Sequence, residues 1–140
     1  MDYTVSLDWR PGTQEGTSQA EGKQAVSISA PVELGGNDAC WSPEHLLVAS
    51  LQSCLMLTLL YFVKQQSIGL TAYSSNTTGT MAKTPEGLRF KSVTVVVKAT
   101  TETGDDKPKL QKAMQLAKKF CPVSAALETP VDVTLDIATG

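Results

Sequence analysis

The chain has 140 residues, the size of one ordinary domain, and is long enough to bury a core without a disulfide framework. Charged residues make up 19% and the net charge is -2 with no basic block, which fits a soluble globular protein and argues against nucleic acid as a partner. Three cysteines, an odd number without close pairing, fit a cytoplasmic chain with free thiols better than a secreted, disulfide-stapled one. One histidine, His45, and the lack of CxxC or HxxxH spacing leave no ligand set for a metal.

In chain order, Tyr3 to Trp9 alternates and predicts a strand that ends at Arg10-Pro11-Gly12. The acidic and polar start has no basic segment followed by an apolar run, so it does not read as a signal peptide. Residues up to Gly22 are Gly, Ser, Thr, Gln and Glu, the composition of a loop or weak edge strand. Ala25 to Ala30 predicts a second strand, and Pro31 to Trp41 a loop with a Gly-Gly turn. Ser42-Pro43-Glu44 is a helix start: an N-cap serine, proline at the first helical position and an acid in the first turn. The helix is expected to reach about Gln66, with Gly69 as its stop.

Inside that helix, Leu46 to Val63 carries no charge. Ser50, Gln52, Ser53 and Thr58 interrupt it and no basic cluster precedes it, so a membrane span is disfavoured. A helix apolar on all sides suits the centre of a domain or of a tight dimer. Two strands follow, Ala72 to Met81 and Leu88 to Ala99, joined by a turn at Thr84-Pro85-Glu86-Gly87. A helix from Pro108 to Phe120, a helical turn from Pro122 to Leu127 and a last strand from Val131 to Ile137 complete an α+β chain, with an antiparallel sheet covering a central helix.

Cys54 lies mid-helix, where a small buried hydrophobe is the plain reading. The polar Gln52, Ser53 and Thr58 beside it point to something more, because buried polar atoms need partners. Cys121 precedes a proline. As N-cap of a short helix it would face free N–H groups and the positive end of the dipole, which predicts a lowered thiol pKa. Such a thiol leaves readily when a disulfide is reduced. Cys40, next to Trp41, reads as incidental, and His45 as solvated or capping.

Glu44 alone reads as a helix-start acid. It lies ten residues from Cys54, roughly 15 Å along a helix, so a site using both requires a second subunit. A cysteine that attacks a peroxide needs a cation to hold the thiolate and departing oxygen, and guanidinium does this with paired hydrogen bonds. Only Arg10 and Arg89 are available. Arg10, in its turn, can reach inward, whereas Arg89 reads as a surface residue.

The segments PVELGG (31–36), SPEHLLVASLQSCLMLTL (42–59) and LAKKFCPVSAAL (116–127) resemble the OsmC/Ohr family of thiol-dependent peroxidases in order and spacing along nearly the whole chain. The resemblance implies one OsmC-like domain over residues 1–140, an intertwined homodimer, Cys54 as peroxidatic and Cys121 as resolving cysteine. It further implies Glu44 as the acid orienting a catalytic arginine, with Arg10 the candidate. No bound cofactor is implied, only an external dithiol, a protein-bound lipoyl group or a small thiol. The expected activity is reduction of organic hydroperoxides, and of hydrogen peroxide less well, in oxidative-stress defence. The alternatives are a small-molecule-binding dimer and a redox sensor.

Overall fold

A computed structural model describes residues 1–140, in the order β1 (Ser6–Trp9), β2 (Glu15–Gln19), β3 (Val26–Ser29), α1 (Pro43–Gln65), β4 (Leu70–Thr84), β5 (Gly87–Thr101), α2 (Asp106–Phe120), α3 (Pro122–Ala126) and β6 (Val131–Thr139). The chain is α+β, with two three-stranded sheets. It divides into two compact units, Met1–Leu47 and Val48–Gly140.

In the first unit β1, β2 and β3 form an antiparallel meander. The segment expected to be a loop or weak edge is its middle strand. Glu15-Gly-Thr-Ser-Gln has no apolar alternation, yet both its backbone edges are paired, Trp9 with Gly16 on one side and Gly16 with Ile28 on the other. The β1–β2 turn uses Gly12 at φ 82°, a value that glycine adopts without a Cβ penalty.

After β3, a 3-10 turn at Val32–Leu34 ends on Gly35, left-handed at φ 88°. Gly36 is required for a different reason. A Cβ there would lie 1.6 Å from the Ala30 carbonyl oxygen, so the two backbones pass too closely for any side chain.

Ser42 caps α1 as predicted. Its Oγ accepts the His45 backbone N–H at 3.2 Å, and the Ser42 N–H donates to His45 Nδ1 at 3.3 Å. This is the reciprocal logic of a capping box, with histidine at the position that usually holds Glu or Gln. His45 is therefore a capping residue.

The far end of α1 differs from expectation. Ser67, not Gly69, takes the left-handed conformation, at φ 51°. The Ile68 N–H reaches the Val63 carbonyl and the Ser67 N–H the Lys64 carbonyl, the paired bonds of a Schellman motif. Burial of Ile68 against Val63 in the core accompanies it and helps offset the strain of a non-glycine residue there.

In the second unit β4 and β5 form a long hairpin turning at Thr84 to Gly87, as predicted. Val93, Val95, Val97, Ala99 and Thr101 of β5 are buried, so every second residue faces the core. Leu55 and Leu59 of α1 and Leu110, Ala113, Met114 and Ala117 of α2 pack into the same core. β6 runs parallel to β5, with Val93 opposite Val131. The expected all-antiparallel sheet is therefore mixed. The chain leaves β5 and returns through α2 and α3, and a helical crossover of that length delivers a parallel strand.

Within α1 the apolar residues do not all share one fate. Leu51, Leu55 and Leu59, spaced one turn apart, are buried. Leu57 and Tyr61 are 61% and 59% exposed.

Candidate active site

All three cysteines are free thiols. Cys121 stands where α2 ends and α3 begins. The residue before a proline is pushed out of the helical region, and Cys121 is extended at φ -64°, ψ 113°. It serves both helices: its N–H bonds the Ala117 carbonyl and its carbonyl accepts from Ala125. Its sulfur accepts the Ser124 N–H at 3.5 Å, the N-cap contact expected of it, with Pro122 in the first turn of α3.

The expected consequence for the thiol does not follow. Cys121 is 0% exposed, and burial pushes its thiol above the ordinary value. The Ser124 and Val123 N–H groups oppose this but do not overcome it, and the neighbouring Cys54 thiol adds to the rise. Five residues of helix offer few aligned dipoles, whereas removing a thiolate from water is costly. Cys121 is thus held as a neutral thiol.

Cys54 and Cys121 are brought together. Cys54 packs against a small cluster of Leu51, Val93 and Cys121, close enough to bear on the charge of the Cys121 thiol. Sixty-seven positions of chain close onto this contact, and Val93 of β5 packs in the same cluster with Leu51 of α1 and Cys121.

Cys54 also opens onto a cavity of about 810 Å³. Its walls are mostly apolar: Leu57, Tyr61 and Phe62 from α1, Phe120 from the end of α2, and Val123 from α3. The Phe62 and Phe120 rings lie 6.0 Å apart, and Tyr61 meets Phe62 edge-on at 5.2 Å. Leu57 and Phe62 lie within the expected apolar lining of the long helix. Phe120 was legible only as the neighbour of Cys121, and its ring sets one wall.

Gln52, singled out as a polar side chain needing a partner, has one: Thr77 Oγ1 of β4 donates to its Oε1 at 2.9 Å. Ser53 and Thr58 donate back to helix carbonyls, Ser53 to Ala49 at 2.7 Å and Thr58 to Cys54 at 2.8 Å. Gln52 thereby ties the helix to the sheet, and the two hydroxyls serve the helix itself.

The other predicted residues lie in the first unit. Arg10 is exposed at the β1–β2 turn and makes an ion pair with Glu15 at 3.4 Å. Glu15 also accepts from Asn37 and, at 3.7 Å, from the Cys40 thiol. The Asn37 hydrogen bond holds the Glu15 carboxyl below the usual carboxylate range, helped by Cys40 and Arg10. Burial, then the Glu15 charge, pushes the Cys40 thiol up, so Cys40 is a donor to a carboxylate. No sequence spacing signals this cluster, because Glu15 is assigned to a polar segment without periodicity. One carboxylate oxygen of Glu44 is buried and has no hydrogen-bond partner. Arg89 is exposed on β5.

A buried thiol beside a second, half-buried thiol that lines an apolar cavity places the chain among α+β proteins with a pair of neighbouring free cysteines. The OsmC-like protein family model matches residues 35–136, so the chain belongs to the OsmC family. It is 31% identical over 136 residues, 96% of this chain and 97% of the relative, to the organic hydroperoxide resistance protein OhrB of Bacillus subtilis strain 168. The crystal structure of OhrB from Bacillus subtilis superposes with a TM-score of 0.69 at 25% identity, over 98% of each chain. An OsmC-like protein of unknown function from Vibrio cholerae superposes with a TM-score of 0.87 at 22% identity, over 96% of this chain and 99% of that one. An organic hydroperoxide resistance protein OsmC from Legionella pneumophila gives 0.73 at 24% identity, over 99% and 97%. The last two likenesses establish the fold alone.

Proposed function

We propose that the protein is a cytoplasmic thiol-dependent peroxidase that reduces organic hydroperoxides. The observation that carries this reading is the closeness of Cys121 to Cys54, which itself lines the apolar cavity. Cys54 thiolate attacks the outer peroxide oxygen. The O–O bond breaks, the alkoxide leaves and takes a proton from solvent, and Cys54 becomes a sulfenic acid. The Cys121 sulfur then attacks the Cys54 sulfur, the S–O bond breaks, and water departs with formation of a disulfide. An external dithiol, a lipoyl group or a small thiol reduces that disulfide by exchange and is itself oxidised. Apolar walls favour an organic hydroperoxide over hydrogen peroxide.

The test is consumption of an alkyl hydroperoxide by catalytic amounts of protein with a dithiol in excess. Sustained turnover is expected. A single oxidation without recycling would make the chain a redox sensor, and binding without oxidation a ligand-binding module.

Glu44 and Arg10 are assigned the supply of oriented positive charge to the reaction. The unpartnered Glu44 oxygen favours an arginine partner supplied on assembly. The Arg10–Glu15 pair lies at the surface, where ion pairs are weak, so Arg10 can leave it. Glu44→Gln is expected to slow Cys54 oxidation about a hundredfold while the thermal midpoint holds, because one hydrogen-bonded charge is lost where charge develops. A like loss in Arg10→Ala supports the assignment. A loss confined to Arg89→Ala would transfer the role to that residue.

The working unit is a homodimer. Leu57, Leu60 and Tyr61 on α1, and Leu7 and Trp9 on β1, are apolar and exposed on a single chain. Sedimentation at micromolar concentration is expected to give twice the chain mass, and a stable monomer would refute it.

A further inference from the structure

We propose that Ser50 is a hydrogen-bond donor to the departing oxygen of the hydroperoxide. This inference rests on the peroxidase reading above. Four hydroxyls line the cavity into which Cys54 opens: Ser50, Ser53, Thr58 and Tyr61. Ser53 donates to the Ala49 carbonyl at 2.7 Å, with Ser50 O also within reach at 3.1 Å, and Thr58 donates to the Cys54 carbonyl at 2.8 Å. Their protons are committed to the helix. The Tyr61 oxygen takes a bond from Gln65 and stands two turns beyond Cys54, about 10 Å along the axis.

Ser50 is different on both counts. Its hydroxyl is not tied to any side-chain or backbone partner of this chain, and it is solvent-exposed. It also lies one turn before Cys54, where Cβ atoms are about 5–6 Å apart. Helical side chains lean toward the N-terminus, so Cys54 leans toward the turn that carries Ser50. The proposed pose puts a peroxide O–O group between them, with the outer oxygen at the sulfur and the inner oxygen at the hydroxyl.

In the attack, electrons pass from sulfur into the O–O bond and negative charge grows on the inner oxygen. The other walls that this chain gives the cavity are mostly carbon, so beside an arginine supplied on assembly the charge has few groups to meet it. Ser50 supplies a hydrogen bond that strengthens as the charge appears, which is the kind of contact that lowers a barrier. The proton that completes the alcohol comes from solvent, and Ser50 keeps its own.

The experiment uses the full-length protein in a Cys121→Ser background, so that one oxidation of Cys54 is read by intact mass. Two oxidants are compared: an alkyl hydroperoxide, which expels an alkoxide, and a peroxycarboxylic acid, which expels a far more stable carboxylate. Ser50→Ala is expected to slow the first about tenfold or more and the second only a few-fold. Ser50→Thr, which keeps a hydroxyl, should restore most of the difference. Alkylation of Cys54 by iodoacetamide, which releases no oxygen, should be unchanged in all of them.

An equal fall for both oxidants would mean that Ser50 only shapes the cavity, and would overturn the proposal. So would rates equal to those of the parent. If the parent Cys54 reacts with iodoacetamide but with neither oxidant, the peroxidase reading fails and this inference falls with it.

Discussion

Cys54→Ser is expected to abolish hydroperoxide consumption, by more than about ten-thousandfold, while leaving the fold intact. A serine hydroxyl is not ionised at neutral pH and cannot attack the O–O bond, so no later step can begin. The substitution is nearly isosteric and Cys54 is only half-buried, which limits the cost in stability. Cys121→Ser should behave differently. It should allow one turnover and leave a protein heavier by one oxygen, trapped as sulfenic acid on Cys54. Stopped-flow peroxide consumption and intact mass separate the two outcomes. Equal residual turnover in both variants would remove the assigned roles.

The same pair of thiols has a pH signature. Burial raises the Cys121 thiol above the ordinary range, and only the thiolate attacks. Disulfide closure should therefore accelerate as pH rises through the ordinary thiol range and continue to do so above it. Closure that is already pH-independent at neutrality would mean that the capping N–H groups outweigh burial.

The second large effect is expected at Gly36, and it is one of folding. A Cβ there would sit 1.6 Å from the Ala30 carbonyl oxygen and 2.4 Å from its carbon, and both atoms are backbone. Neither can swing aside as a flexible side chain would. The Gly36 N–H also bonds the Pro31 carbonyl at 3.0 Å, so moving Gly36 away breaks that contact. Gly36→Ala should cost more than about 4 kcal/mol, in the range reserved for severe steric or buried-group failures. At neighbouring Gly35 there is space, with only a glutamine side-chain nitrogen near the added carbon, at 3.6 Å. The cost of Gly35→Ala is then that of a left-handed residue, about 1–2 kcal/mol. Urea midpoints compare them directly. Equal shifts would show that backbone conformation, rather than the close approach, selects the second glycine.

Much of the fold is legible in the residues because the signals are local. Ser42-Pro43 starts a helix wherever it stands, since capping is a contact between near neighbours. Cys121-Pro122 separates two helices because a proline restricts the residue before it. The alternating valines of β5 mark a strand with one buried face. These features depend on spacing along the chain, and the OsmC resemblance rests on segments that hold the first two of them.

What the residues could not reveal depends on partners distant in sequence. β2 is a middle strand because two neighbours pair its backbone, and its polar side chains carry no trace of that. β6 is parallel because α2 and α3 carry the chain across the sheet. Glu15 holds Arg10, Asn37 and Cys40, although no periodicity joins them. The two cysteines are a pair only because tertiary packing, with Val93 of β5 in their shared cluster, brings distant segments together. Cys121 shows the division most clearly. Its sequence setting promises N–H groups at the sulfur, and the structure provides those of Ser124 and Val123, but only tertiary packing buries the thiol, and burial is the larger effect on its charge.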